Sequence, residues 1–262
     1  MLPRGLALFP QSAELLAMNA AELREQGKLV EALAVTRRAV AIDPTLPQGE
    51  LSIAQAEFDL GRPDSALAAL HRLVDHARGV DVGEVAAPAA DASPLFPGEM
   101  LPVLDGQGGA SIQRPPPTAA MAMDDRARDS VLTTVAQFAL AKGNTLLRAA
   151  DATRRGDAFR LALGFLTLAD SLNPTIQSSF LIGTAALGAA SASITEAATV
   201  KRDGGGCEMM RASAPMLALA RTALDSGREV APDAVQQYLA YLGQLDAFVE
   251  GQLGMPCAGA AP

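Results

Sequence analysis

EQGKLVEAL at residues 25–33 and DLGRPDSAL at 59–67 are two versions of one motif, placed 34 residues apart. Gly27 falls on Gly61, Ala32-Leu33 on Ala66-Leu67, Ala20 on Ala54 and Arg38 on Arg72. Around each copy the apolar residues keep a helical period, so each unit, 13–46 and 47–80, reads as helix, turn, helix. The glycine stands where the first helix ends, a position that favours a left-handed backbone and a residue without Cβ. The alanine five residues on marks the closest crossing of the two helices, where added volume would clash. A period of this length is the signature of stacked supersecondary units.

Working outward, RGLALFP at 4–10 matches RAVAIDP at 38–44: Arg4 falls on Arg38, Ala7 on Ala41, Leu8 on Ile42 and Pro10 on Pro44. The chain therefore opens on what reads as the second half of a hairpin, with the expectation that its first helix lies upstream. A third copy emerges by counting back from Pro174. Ala150, Ala162 and Ala169 take the small-residue positions there, and Gly156 comes one place early, as if the turn were one residue longer.

These residues resemble the tetratricopeptide repeat family over about 2–77 and 143–176. The resemblance implies an all-α fold, a TPR-like α-solenoid of stacked antiparallel hairpins. It also implies a concave groove, lined by the first helix of each unit, that takes a peptide, a helix or another subunit. The groove candidates on this basis are Asn19, Leu23, Gln26, Ile53, Glu57 and Leu60. The Lys-, Arg- and Asn-rich pattern with which family members clamp a terminal carboxylate is absent from these positions.

The composition changes between the two helical blocks. Residues 79–124 hold Pro88, Pro94, Pro97, Pro102 and Pro115 to Pro117, with Gly106, Gly108 and Gly109, a density no helix survives. A linker is expected, with polyproline II character around RPPPT. Its apolar islands, PLF at 94–96 and MLPVL at 100–104, are the two features a plain spacer would not need. The expected domains are 1–78, repeats with the first incomplete; 79–124, linker; and 125–262, a C-terminal TPR-like helical domain. Within the last, helices are expected at about 126–153, 157–171, 175–200, 207–226 and 233–252. The third of these carries no charge from Ser171 to Thr195. Its many Ala, Gly, Ser and Thr residues point to a central helix closely packed by neighbours, against the predominantly apolar run of a membrane span.

Composition narrows the function classes. The chain is 49% hydrophobic with 4% aromatics and no Trp, so alanine-rich helix packing must supply much of the core. A net charge of −8 argues against a nucleic-acid surface, and the basic pairs Arg37-Arg38 and Arg154-Arg155 are isolated. His71 and His76 are the two histidines. Five residues along a helix turn them some 140° apart, a poor metal pair. The GGG run at 204–206 serves as a turn, and no serine lies in a nucleophile-elbow pattern. No cofactor, metal or catalytic set is expected.

Cys207 opens the fourth helix of the second block, and Cys257 follows the fifth. An antiparallel hairpin would set Cys207 opposite position 252, within reach of Cys257 through LGMPC. A disulfide there would close a loop of about 50 residues and contribute about 4 kcal/mol. Such a bond implies an oxidising compartment, so the expected location is periplasmic or otherwise extracytoplasmic, with an export signal upstream because MLPRGLALFP is not one. Two unpaired thiols in a cytoplasmic protein are the alternative. The expected function is a non-enzymatic interaction scaffold or accessory subunit, partnered by other proteins and not by nucleic acid, and meeting a membrane only through a partner. The alternative is a small-ligand carrier or enzyme with its site in 125–254.

Overall fold

The structure, a computed structural model, describes residues 2–44, 46, 48–79, 125–200 and 205–254. Among these residues all regular structure is helical. Five helices precede the 80–124 segment: α1 (Leu2–Leu8), α2 (Ala13–Glu25), α3 (Leu29–Ile42), α4 (Gly49–Asp59) and α5 (Pro63–Ala77). Five follow it: α6 (Asp125–Thr153), α7 (Gly156–Leu172), α8 (Ile176–Thr199), α9 (Gly206–Ser226) and α10 (Pro232–Leu253). Each helix packs on the next in sequence, and α5 meets both α6 and α7. The expected helices of the second block therefore lie within one residue of the observed ones.

Local chemistry explains the boundaries. Ser12 caps α2 by accepting from the Leu15 amide at 3.3 Å. Thr175 and Ser178 form a reciprocal capping box at the start of α8, and Pro63 and Pro232 open α5 and α10 where a missing N–H costs nothing. Gly27 and Gly61 adopt φ of 75° and 74°. Past each, the amides of Lys28 and Arg62 reach back to the carbonyls of Leu23 and Glu57 at 2.9 Å, closing the helix ends.

The third hairpin departs from the expected turn. The left-handed residue there is Arg154, with φ of 55°, and Gly156 is already the first residue of α7. Arg154 stands two residues before its helix, as Gly27 and Gly61 do before theirs. The turn is thus no longer than the others; it lies earlier in the chain, and α7 has 17 residues against 14 in α3. One extra helical turn at the start of α7 absorbs the offset that Gly156 seemed to signal.

Small residues let the helices of the second block close up. A Cβ on Gly183 would lie 2.7 Å from Leu224 of α9, and one on Gly188 would lie 2.3 Å from the Phe159 ring of α7. Ala185, Ala186, Ala189 and Ala190 of α8 are buried beside them. By length and composition α8 could cross a membrane, the one such helix among the described residues. It lies between α7 and α9 at the centre of the block.

The two blocks share a core. Leu70, Leu73 and Ile53 belong to the same buried cluster as Val135, Ala139, Phe165 and Leu168. Phe165 is fully buried and meets the edge of Phe58 at 5.9 Å between centroids, the rings 84° apart. Above the same Phe58 ring, at 4.4 Å, stands the Lys142 ammonium, which also lies 3.8 Å from Asp59. The 80–124 segment therefore joins two sets of helices that pack on one another in folded space.

Candidate functional site

A trough of about 810 Å³ opens in the second block. Its floor is Phe159, at the start of α7. One wall is α8, from Thr184 and Leu187 through Ser191 and Thr195 to Thr199. The opposite wall is α10, with Gln237, Tyr238 and Tyr241, and Asp151 at the end of α6 and Arg154 in the turn after it close the trough. Packing explains why the space is there. Ala186 and Ala190 point into the core, Val235 and Leu242 anchor α10 from below, and the residues one step round each helix face the trough.

Both tyrosines of the chain sit in this wall, 37% and 41% exposed. Tyr241 and Ser191 share a hydrogen bond of 2.8 Å across the trough, and Tyr238 packs at 6.3 Å against Phe180 of α8. The threonines of α8 turn their protons inward. Thr184 donates to the Leu181 carbonyl at 2.9 Å, Thr195 to Ser191 at 2.8 Å and Thr199 to Glu196 at 2.7 Å. The charged groups of the trough, Asp151, Arg154 and Glu196, are exposed, and none forms an ion pair with another described residue. Just outside, Arg155 pairs with Asp157, whose carboxyl is lowered from its ordinary value mainly by that hydrogen bond.

The chain matches no protein-family model and no curated protein. Its geometry has to speak for it.

A smaller hollow of about 230 Å³ occupies the corresponding place in the first block, between α2 and α4 over α3. Ala17, Ala21 and Arg24 line it from α2, and Ser52 and Ala56 from α4. Arg24 reaches across to Gln55 at 3.0 Å. The residues expected there were Asn19, Leu23, Gln26, Ile53, Glu57 and Leu60, and none of the six borders the hollow. Ile53 and Glu57 are buried, 5% and 2% exposed, so they must be withdrawn as groove residues. Ile53 faces the shared core. Leu60 is half-buried against that core, while Asn19 and Leu23 are half-buried and Gln26 is exposed.

Glu57 has a structural task. It accepts from Arg37 at 2.5 Å and lies 3.7 Å from Arg62, tying α3 and the α4–α5 turn to α4. The true lining of the hollow is offset from the expected one by about one residue on α4, Ser52 against Ile53 and Ala56 against Glu57, or roughly 100° of helix rotation. The sequence offers a site in 125–254 as the alternative reading and singles out no residue of the trough. The trough's available signal was the pair of tyrosines at 238 and 241, one helical turn apart in a chain poor in aromatics.

His71 and His76 are exposed on α5, and no cluster of metal-ligating side chains occurs among the described residues. Cys207 is 8% exposed and lines a small cleft with Gln252 and Leu253, so the start of α9 does lie beside the end of α10. The pairing of the two helices is antiparallel, as the Arg221–Asp246 ion pair further along them also requires. Cys257 lies outside the described residues, as do the islands at 94–96 and 100–104.

Proposed function

We propose that this protein is an interaction scaffold whose trough between α8 and α10 holds an extended segment of a partner protein. The observation that carries the reading is the pair Tyr238 and Tyr241, large rings left exposed on one face of α10 in a chain with no tryptophan. Side chains with an apolar body and a polar tip are favoured at protein interfaces, where they bury area at low entropic cost. The helices pack in sequence order with a 34-residue period in the first block, and this supports a TPR-like solenoid in which both hollows lie on the face of the first helices. The exposed state of Asp151, Arg154 and Glu196 supports binding over acid–base chemistry, which calls for groups shielded from water.

A volume of about 810 Å³ also suits a small organic ligand, so a small-ligand carrier is the second reading. The position of Cys207 beside Gln252 and Leu253 supports a disulfide to Cys257, and with it an extracytoplasmic location. The test is affinity purification from the source cells with wild-type protein and with the double variant Tyr238→Ala, Tyr241→Ala. A discrete co-purifying partner lost in the variant is expected, with the helical circular dichroism signal retained. Retention of every partner by the variant overturns the trough as the binding site.

A further inference from the structure

We infer that the trough selects a basic segment, one that brings Lys or Arg side chains to the space between α8 and α10. The inference rests on the trough being a peptide site and adds the chemistry of what it accepts.

Hydrogen-bond polarity comes first. A hydroxyl has one proton and two lone pairs. Thr184, Thr195 and Thr199 have each given that proton to a carbonyl of α8, so toward the trough they can only accept. Ser191 and Tyr241 bond to each other, which uses one of their two protons. The α8 wall is therefore rich in acceptors and poor in donors. A ligand that satisfies it must itself carry donors, and guanidinium and ammonium groups carry five and three with no acceptor.

Charge points the same way. Two carboxylates, Asp151 and Glu196, stand against one guanidinium, Arg154, and none is neutralised by another described residue. Among the described residues the lining of the trough keeps one net negative charge, on a chain whose net charge is −8. The faces of exposed tyrosine rings attract cations as well. Arg154, at the α6 end, then meets an acidic group or the carbonyls of the bound segment and sets its direction along the trough.

A random dodecapeptide library displayed on phage, panned on the intact protein, tests the inference. Peptides that bind wild type and fail on Tyr238→Ala, Tyr241→Ala are the trough-dependent set. They are expected to be enriched in Lys and Arg, to weaken as salt rises from about 50 to 300 mM, and to lose about tenfold in affinity on Asp151→Asn, Glu196→Gln. Both acids are exposed, so that variant should fold and melt as wild type does. A trough-dependent set that is acidic or without charge bias overturns the inference while leaving the peptide site standing, as does an unchanged affinity in the double variant. If no selected peptide depends on the tyrosines, the peptide site itself fails, and this inference falls with it.

Discussion

Replacing Phe165 by alanine should loosen both blocks at once. The residue belongs to α7, yet its ring is fully buried in the cluster built by α4 and α5, edge-on to Phe58. Deleting a buried phenyl group costs about 3–5 kcal/mol through lost transfer energy and the cavity left behind. The edge-to-face pair contributes about 0.5–1.5 kcal/mol beyond area, which places this site toward the upper end. For a chain of this size each kcal/mol lowers the melting temperature by roughly 2–4 °C, so a fall of about 10 °C or more is expected by circular dichroism.

The control is Phe248→Ala, at a ring 41% exposed on α10, which should shift stability by less than about 0.5 kcal/mol. Hydrogen exchange adds the location of the damage. Amides of α4 and α5 should lose protection together with those of α7, although the substitution lies some 90 residues downstream. A Phe165→Ala variant that melts like the control, or that loses protection in α7 alone, would refute the shared core.

Three further expectations follow from packing and turn geometry. Ala32→Trp and Ala66→Trp, at sites 3% and 0% exposed, should each unfold the first block, since neither crossing has room for an indole; loss of helical signal and of exchange protection in 13–77 is the readout, and unchanged protection in both would remove the hairpin assignment. Arg154→Gly should stabilise the protein by about 1 kcal/mol because glycine adopts the left-handed backbone without strain, measured by urea titration; a destabilised variant would mean the Arg154 side chain matters more to the fold than its backbone strain does. Mass spectrometry of non-reduced tryptic peptides should find Cys207 joined to Cys257, and free thiols at both in protein from an oxidising compartment would remove the disulfide and the argument for export.

The helices were legible because their signals are local. Pro63 and Pro232 opening helices, Gly27 and Gly61 closing them, and the small residues Ala32 and Ala66 at the crossings all act within a turn or two. The turn before α7 was misread because Gly156 looked like the left-handed residue, and nothing in the sequence says that Arg154 would take that strain instead. The site was harder for a different reason. A groove is made by the rotation of helices about their own axes, and an error of one residue moves a side chain by 100° from rim to core. Ile53 and Glu57 fell on the wrong side of that margin. Glu57 also shows that a charged residue on a helix face need not be solvated when two arginines wait at the edge of its pocket. The junction between blocks depended on Phe58, Lys142 and Phe165, three positions with no common sequence signal.

The way α1 to α10 touch mainly their sequence neighbours has a consequence for how the chain finds its shape. Most contacts close over one hairpin, so the entropy lost in making each is small and folding should be fast for the chain's length. The exception is the meeting of α5 with α6 and α7, which must wait until residues far apart in sequence have come together. Each half should thus acquire its helices early, with the meeting of Phe58 and Phe165 expected as the late event. Strengthening that late contact would slow unfolding far more than it would hasten folding, because an interaction formed after the barrier acts on the way out.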